Sequence, residues 1–184
     1  MVVDRDGNEL PDGETGELLT RGPYTIRGYY NAPQTNAAAF TPEGFYRMGD
    51  VVRKSGRHLF TEGRRNDLIN RGGEKISSDE IENLIFQHPA VDACCVVAMP
   101  DPVYGEKACA FVVLEPGHAL TLAQLAEFLL AQRIAKYKLP ERLEIIEHFP
   151  VSPAGKILRR ELRERIAATL ASEVAAPIQP RREP

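Results

Sequence analysis

The chain has 184 residues, of which 43% are apolar and 27% charged, and its formal net charge is -3. That is the composition of an ordinary soluble globular protein, long enough for one domain or for a small domain plus a piece of another. The charge gives no electrostatic reason to expect nucleic acid, and no apolar run approaches the roughly 20 residues a membrane helix needs.

Met1-Val2-Val3 leads at once into Asp4, Arg5 and Asp6, which is not the pattern of a secretory signal. Residues 1 to about 62 read as short strands and turns. Asp6-Gly7-Asn8 and Asp12-Gly13 are turn signals, strands are expected at 17–20 and 51–53, and a short helix over 34–40. This stretch has too few apolar residues to close a core of its own and reads as the edge of a larger β-rich domain.

The character changes at Ser77. Ser77-Ser78-Asp79-Glu80 is a capping box, followed by an apolar helical face of Ile81, Leu84 and Ile85 and a stop at His88-Pro89. Residues 91–99 and 108–114 are apolar runs of strand length, joined by the turn-rich Pro100-Asp101-Pro102-Val103-Tyr104-Gly105. Thr121 with Gln124 starts a second capped helix carrying Leu122, Leu125 and Leu129. Residues 142–149 read as a third strand, and a last helix runs from near Leu158 to about Leu170. The proline- and charge-rich end, 177–184, is expected to be disordered. The fold class is α+β: a small C-terminal lid domain with a three-stranded sheet and helices, preceded by the β-rich edge of an incomplete larger domain. The expected divisions are 1–66, 67–172 and a tail over 173–184.

Three cysteines, Cys94, Cys95 and Cys109, have no metal-ligand spacing and no even framework, which points to a reducing, cytoplasmic compartment. The four histidines are isolated, so no metal site is expected. Basic residues gather near Arg64, Arg65 and Arg71, and again at Lys156, Arg159 and Arg160. Small positive clusters beside glycines suit a phosphorylated small molecule better than a long polyanion.

Two segments carry the chemistry. The first is Gly63-Arg64-Arg65-Asn66-Asp67-Leu68-Ile69-Asn70-Arg71-Gly72-Gly73-Glu74-Lys75-Ile76, where a Gly-Gly pair permits a tight hairpin. The second is Pro150-Val151-Ser152-Pro153-Ala154-Gly155-Lys156-Ile157, one lysine on a loop before a helix. Gly155-Lys156 is not a P-loop, because no glycine lies five residues before Gly155 and Ile157 replaces the Ser or Thr. Upstream, Tyr46-Arg47-Met48-Gly49-Asp50 ends in a turn whose carboxylate could accept from a pair of hydroxyls.

Together these segments resemble the C-terminal part of adenylate-forming (AMP-binding) enzymes, the superfamily of acyl-CoA synthetases, aryl-acid ligases and peptide-synthetase adenylation domains. The resemblance implies that Asp50 binds the ribose of ATP, Arg64 contacts the nucleotide and Asp67 is the hinge about which the small domain swings. It implies that Gly72, Gly73 and Lys75 form the hairpin lining the path of a phosphopantetheine thiol, and that Lys156 is the catalytic lysine of adenylation. The family's usual threonine is replaced here by Met48. Glu17-Leu18-Leu19-Thr20-Arg21-Gly22-Pro23-Tyr24-Thr25-Ile26-Arg27-Gly28-Tyr29-Tyr30 and Tyr137-Lys138-Leu139-Pro140 look most like aryl-acid AMP ligases of siderophore pathways. Such enzymes use ATP with Mg2+, activate 2,3-dihydroxybenzoate or salicylate, and load it onto an aryl carrier protein. The alternatives are a fragment of an acyl-CoA synthetase for a small carboxylic acid, or a non-catalytic lid that binds a partner. The family's Ser/Thr/Gly-rich pyrophosphate loop, adenine-binding segment and acid pocket do not occur in this sequence. The expectation is therefore a partial gene product or excised piece, with Mg2+ and most of ATP held elsewhere and no activity alone.

Overall fold

The computed structural model describes residues 1–65 and 67–175. These fall into two compact units, Met1–Leu68 and the residues from Ile69 on.

The first unit is an antiparallel sheet of β1 (Val2–Val3), β2 (Thr15–Thr20), β3 (Tyr46–Ser55) and β4 (His58–Arg64), in that order. The helix α1 (Pro33–Ala39) stands between β2 and β3 in sequence and begins at a proline, whose fixed φ suits a first helical turn. The expected strands are present but longer. β1 is only two residues long, and β4 is exposed along most of its length, so neither left an alternating apolar signal. Buried apolar side chains are few: Val2, Val3, Leu19, Val51 and Val52. Tyr24 and Tyr30 are 99% and 94% exposed. The shortage of core anticipated from composition is real.

The second unit has a five-stranded sheet, not the expected three-stranded one. Its centre is β7 (Val91–Asp101) against β8 (Gly105–Leu114), antiparallel through ten paired positions, with β9 (Arg142–Ile145) parallel to β8. The hairpin of β5 (Leu68–Arg71) and β6 (Glu74–Ser77) supplies the other two strands, because Arg71 pairs with Gly105 at the start of β8. Three helices follow from the sequence signals: α2 (Ser78–Ile85), α3 (Leu122–Ala131) and α4 (Arg159–Ala175). Ser77 caps α2 through Glu80, and Thr121 with Gln124 forms the complete reciprocal box on α3.

Period-two alternation sends β7 and β8 side chains to opposite faces. Val96, Ala108, Ala110 and Val112 pack with Ile81 and Ile85 of α2 and Leu125 and Leu129 of α3. Cys95, Val97, Cys109 and Phe111 pack with Leu162 and Ile166 of α4. With both faces covered, the two strands are near-continuous apolar runs.

Two boundaries differ from expectation. β9 stops at Ile145; Ile146 still donates to Val112 O at 2.9 Å, and then Glu147 and His148 turn out to solvent. The last helix continues through 173–175, beyond its expected end near Leu170 and into the expected tail. Arg142 holds Glu173 with two hydrogen bonds of 2.7 and 2.9 Å, tying that turn to the sheet. The expected disordered segment 177–184 lies outside the described residues.

None of the three cysteines is in a disulfide. Burial, reinforced by Glu82 and Glu144 respectively, pushes the Cys94 and Cys109 thiols up to about 12. They are neutral packing groups. No helix among the described residues is long and apolar enough to cross a membrane.

Candidate functional site

Asp50 and Arg64 meet because β3 and β4 pair them directly across the ladder. Arg64 Nε lies 3.3 Å from Asp50 Oδ1, with the carboxylate side chain 23% exposed and the guanidinium 68%. The expected turn at Gly49-Asp50 is instead an irregularity inside β3, where the pairing with β2 shifts register; Gly49 sits there at φ +77°, a conformation that favours glycine although a Cβ would meet nothing within 4 Å. Arg65 N–H donates to Gly49 O at 2.8 Å and fixes this part of β3 against the end of β4. The carboxylate retains acceptor capacity for hydroxyl groups after one ion pair. Arg65 itself is a strut: Glu17, only 11% exposed, receives both Arg65 and Arg47 at 3.2 Å. Met48 stands 40% exposed two residues before Asp50. Asp67 follows Arg64 closely, its N–H donating to Arg64 O at 2.9 Å.

The second cluster is the β5–β6 hairpin. Gly72 and Gly73 sit at φ +59° and +102°, as a two-residue turn with both central residues in positive φ demands. Gly72 N–H donates to Tyr104 O at 2.8 Å, and a Cβ on Gly72 would lie 3.1 Å from the Tyr104 ring. Asn70 accepts from Gly73 N–H at 3.1 Å and donates its own N–H to Glu106 at 2.7 Å. Beneath the turn, the Arg71 guanidinium lies 3.9 Å from the Tyr104 ring centroid and donates twice to Glu141 Oε1, at 2.7 and 3.2 Å. Lys107 joins Glu141, at 3.2 Å, to Asp101, at 2.9 Å. Lys107, and then the Tyr104 N–H, hold the Asp101 carboxyl down at about 2. Lys75 is exposed. Sequence reading found the two glycines and Lys75 and missed Tyr104, Glu141 and Lys107. The only trace was the dense charge around Asp101-Pro102-Val103-Tyr104-Gly105-Glu106-Lys107.

Lys156 stands at the end of a braced loop. Val151 and Ile157 form an antiparallel bridge, Ser152 N–H donates to Lys156 O at 2.8 Å, Gly155 N–H to Ser152 O at 2.8 Å and Lys156 N–H to Ser152 Oγ at 3.2 Å. The lysine is exposed, and among the described residues its ammonium has no ion-pair partner. Its expected companions are different. Arg159 is held by Glu82 at 2.6 and 2.8 Å, and Arg160 lies 3.7 Å from Glu164 on an exposed helical turn. The positive cluster anticipated from the sequence is one available lysine beside one internally neutralised arginine and one surface pair.

The structure thus brings Asp50 to Arg64, groups Gly72, Gly73 and Lys75 on one hairpin, and sets Lys156 on a separate loop at the root of α4. Residues 80–156 match the family described as AMP-binding enzyme C-terminal domain. That segment belongs to the C-terminal domain of the AMP-binding, adenylate-forming enzymes. The chain is 54% identical over 166 residues to the salicylyl-CoA synthase/salicylate adenylyltransferase of a Streptomyces species, covering 89% of the chain and 30% of that protein. It is 47% identical over 170 residues to the 2,3-dihydroxybenzoate-AMP ligase of Bacillus subtilis, covering 92% and 31%. Among solved structures, ATP-bound MatB from Rhodopseudomonas palustris matches with a TM-score of 0.78 at 30% identity, over 91% of this chain and 34% of that one. The chain therefore spans about 31% of the length of the curated relatives it matches.

Proposed function

We propose that this chain is the C-terminal part of an ATP-dependent aryl acid:AMP ligase that activates salicylate or 2,3-dihydroxybenzoate for siderophore biosynthesis in the cytoplasm. The observation that carries the reading is Lys156: an exposed ammonium, free of ion pairs among the described residues, on a loop held by backbone bonds at the edge of the matched domain. The names and identities of the Streptomyces and Bacillus relatives support the substrate class.

In the first half-reaction an aryl carboxylate oxygen attacks the α-phosphorus of ATP, forming an acyl–O–P bond and expelling pyrophosphate. Two anions approach each other, and Lys156 offsets their repulsion and the charge on the transferring group. Asp50 accepts from the ribose hydroxyls, and Arg64, already oriented by Asp50, donates to the nucleotide. In the second half-reaction a phosphopantetheine thiolate of an aryl carrier protein attacks the acyl carbon, and AMP leaves. Gly72 and Gly73 leave room for that thiol's arm, and Lys75 stands beside it. In this reading the Mg2+ that accompanies ATP is held mainly by the nucleotide phosphates and by the preceding part of the enzyme. Coenzyme A as the acceptor is the second reading, favoured by 47% identity to a Streptomyces carzinostaticus 2-hydroxy-7-methoxy-5-methyl-1-naphthoate–CoA ligase.

The 184-residue chain alone is expected to give no aryl-acid-dependent ATP–pyrophosphate exchange. Exchange should appear when the chain is joined to the preceding two-thirds of the salicylate adenylyltransferase relative. Robust exchange by the chain alone would overturn the division of labour proposed here. Absence of exchange in a folded chimera would favour a non-catalytic, partner-binding lid.

Asp67 acts as the hinge in this reading. Asp67→Pro fixes φ and removes the N–H that Arg64 O accepts at 2.9 Å. Thioester formation in the chimera should fall while single-turnover adenylation largely survives. Unchanged rates in both half-reactions would remove Asp67 from that role.

A further inference from the structure

Lys156 is three residues from Arg159, the first residue of α4, and Arg159 is the most heavily bonded arginine near it. Its guanidinium forks onto Glu82, with NH1 on Oε1 at 2.6 Å and NH2 on Oε2 at 2.8 Å, and NH1 also donates to Val96 O at 3.0 Å. Glu82 Oε1 in turn accepts from Val96 N–H at 2.6 Å. Asp79 adds a looser contact at 3.6 Å. Both partners are largely covered, with 23% of the Arg159 side chain and 17% of Glu82 exposed. One ion pair thus ties the start of α4 to the middle of α2 and to the backbone of β7.

We infer that the Arg159–Glu82 fork positions Lys156: it fixes the C-terminal root of the lysine loop against the rigid sheet, so the ammonium is presented at a set place. The catalytic side of this inference rests on the proposed role of Lys156; the mechanical side stands by itself. The loop is short and its internal bonds close on its own backbone, so its placement depends on what anchors its two ends. Leu158 N–H donates to Pro150 O at 2.8 Å, and Arg159 N–H to Ile157 O at 3.1 Å. The next firm attachment along the chain is the fork. Below it, Leu162 and Ile166 seat α4 by apolar contact, which resists lifting off the sheet better than sliding or rotation. A planar bidentate pair supplies the missing direction. Lysine in place of Arg159 keeps the charge and loses the fork.

The test has two arms. In the 184-residue chain, amide hydrogen exchange is measured for wild type, Arg159→Lys and Glu82→Gln. The N–H groups of Ser152, Lys156 and Leu158 should exchange faster by about tenfold or more in Arg159→Lys, the scale of one charged hydrogen bond. Phe111 and Val112 in the core should keep their protection. Glu82→Gln retains an acceptor for Val96 N–H and should show the same pattern more weakly, which keeps the inference testable if Arg159→Lys folds poorly. Unchanged loop exchange, or equal loss of protection in the core, overturns it. In the chimera, Arg159→Lys should slow adenylation by about tenfold and leave thioester formation unchanged. Equal slowing of both overturns the positioning role. Lys156→Ala serves as the control. If it leaves adenylation untouched, the functional reading of Lys156 fails, while the exchange arm still decides whether the fork braces the loop.

Discussion

Lys156→Ala, in the chimera with the preceding two-thirds of an aryl-acid ligase, is expected to slow adenylation by ~10²–10³, the scale of one electrostatic donor to a transition state. The structure makes this a clean experiment. Among the described residues the Lys156 ammonium carries no ion pair, and the loop is held by backbone groups and Ser152 Oγ, so truncation removes a charge without removing a strut. The melting temperature should stay where it is. Thioester formation from preformed adenylate should change much less, because in the proposed mechanism the small domain has by then swung about Asp67 and presents its Gly72–Gly73 hairpin instead. Single-turnover kinetics of each half-reaction measure both effects. Equal losses in the two half-reactions would mean that Lys156 serves binding or folding generally, and the two-orientation mechanism would lose its support.

The contrast between Lys156 and Arg159 also explains what could be read from the sequence and what could not. Both are basic residues near a helix start, one and four positions after Gly155, and composition gives no ground for separating them. The turn signals located the loop, since Pro153 fixes its φ and Gly155 permits the φ of +76° that the turn uses, whatever the rest of the chain does. Glu82, by contrast, is 77 residues away from Arg159 and reads in sequence as one more charge on an amphipathic helix. The partner of a long-range ion pair has no local signature. The same division holds elsewhere. Capping residues announced α2 and α3, and uninterrupted apolar runs announced β7 and β8, because those signals are local. The hairpin was legible from Gly72-Gly73, whereas its joining the sheet through Arg71 and Gly105 was not. The Asp50–Arg64 pair came from β4, whose mostly exposed residues lack an alternating apolar pattern. Motif resemblance supplied both residues, and the ladder supplied the reason they meet.

Gly72→Val is expected to have the other large effect, this time on thioester formation, with a loss on the order of 10²-fold, what a misplacement near 1 Å can cost. Two physical terms act together. At φ +59° a β-branched residue is strained by about 1–3 kcal/mol. Its Cβ would also stand 3.1 Å from the Tyr104 ring, before either methyl is placed. The ring is 39% exposed, but shifting it disturbs the contacts on its other sides. Arg71 covers it at 3.9 Å, and the Tyr104 backbone is pinned by its N–H to Asp101 at 2.8 Å and its carbonyl to Gly72 N–H at 2.8 Å. Relieving the contact therefore displaces the turn or breaks the packing of the tyrosine that holds it. Gly73→Ala provides the comparison, since φ +102° imposes strain there while a Cβ meets nothing within 4 Å. It should cost less, by the share that the Tyr104 contact contributes. Adenylation should be nearly normal in both variants, because Lys156 sits on a different loop. Equal losses in Gly72→Val and Gly73→Ala would reduce the effect to backbone strain and leave Tyr104 with no part in placing the turn. A Gly72→Val enzyme that loses adenylation as well would show that the hairpin supports the fold of the whole unit rather than the second half-reaction.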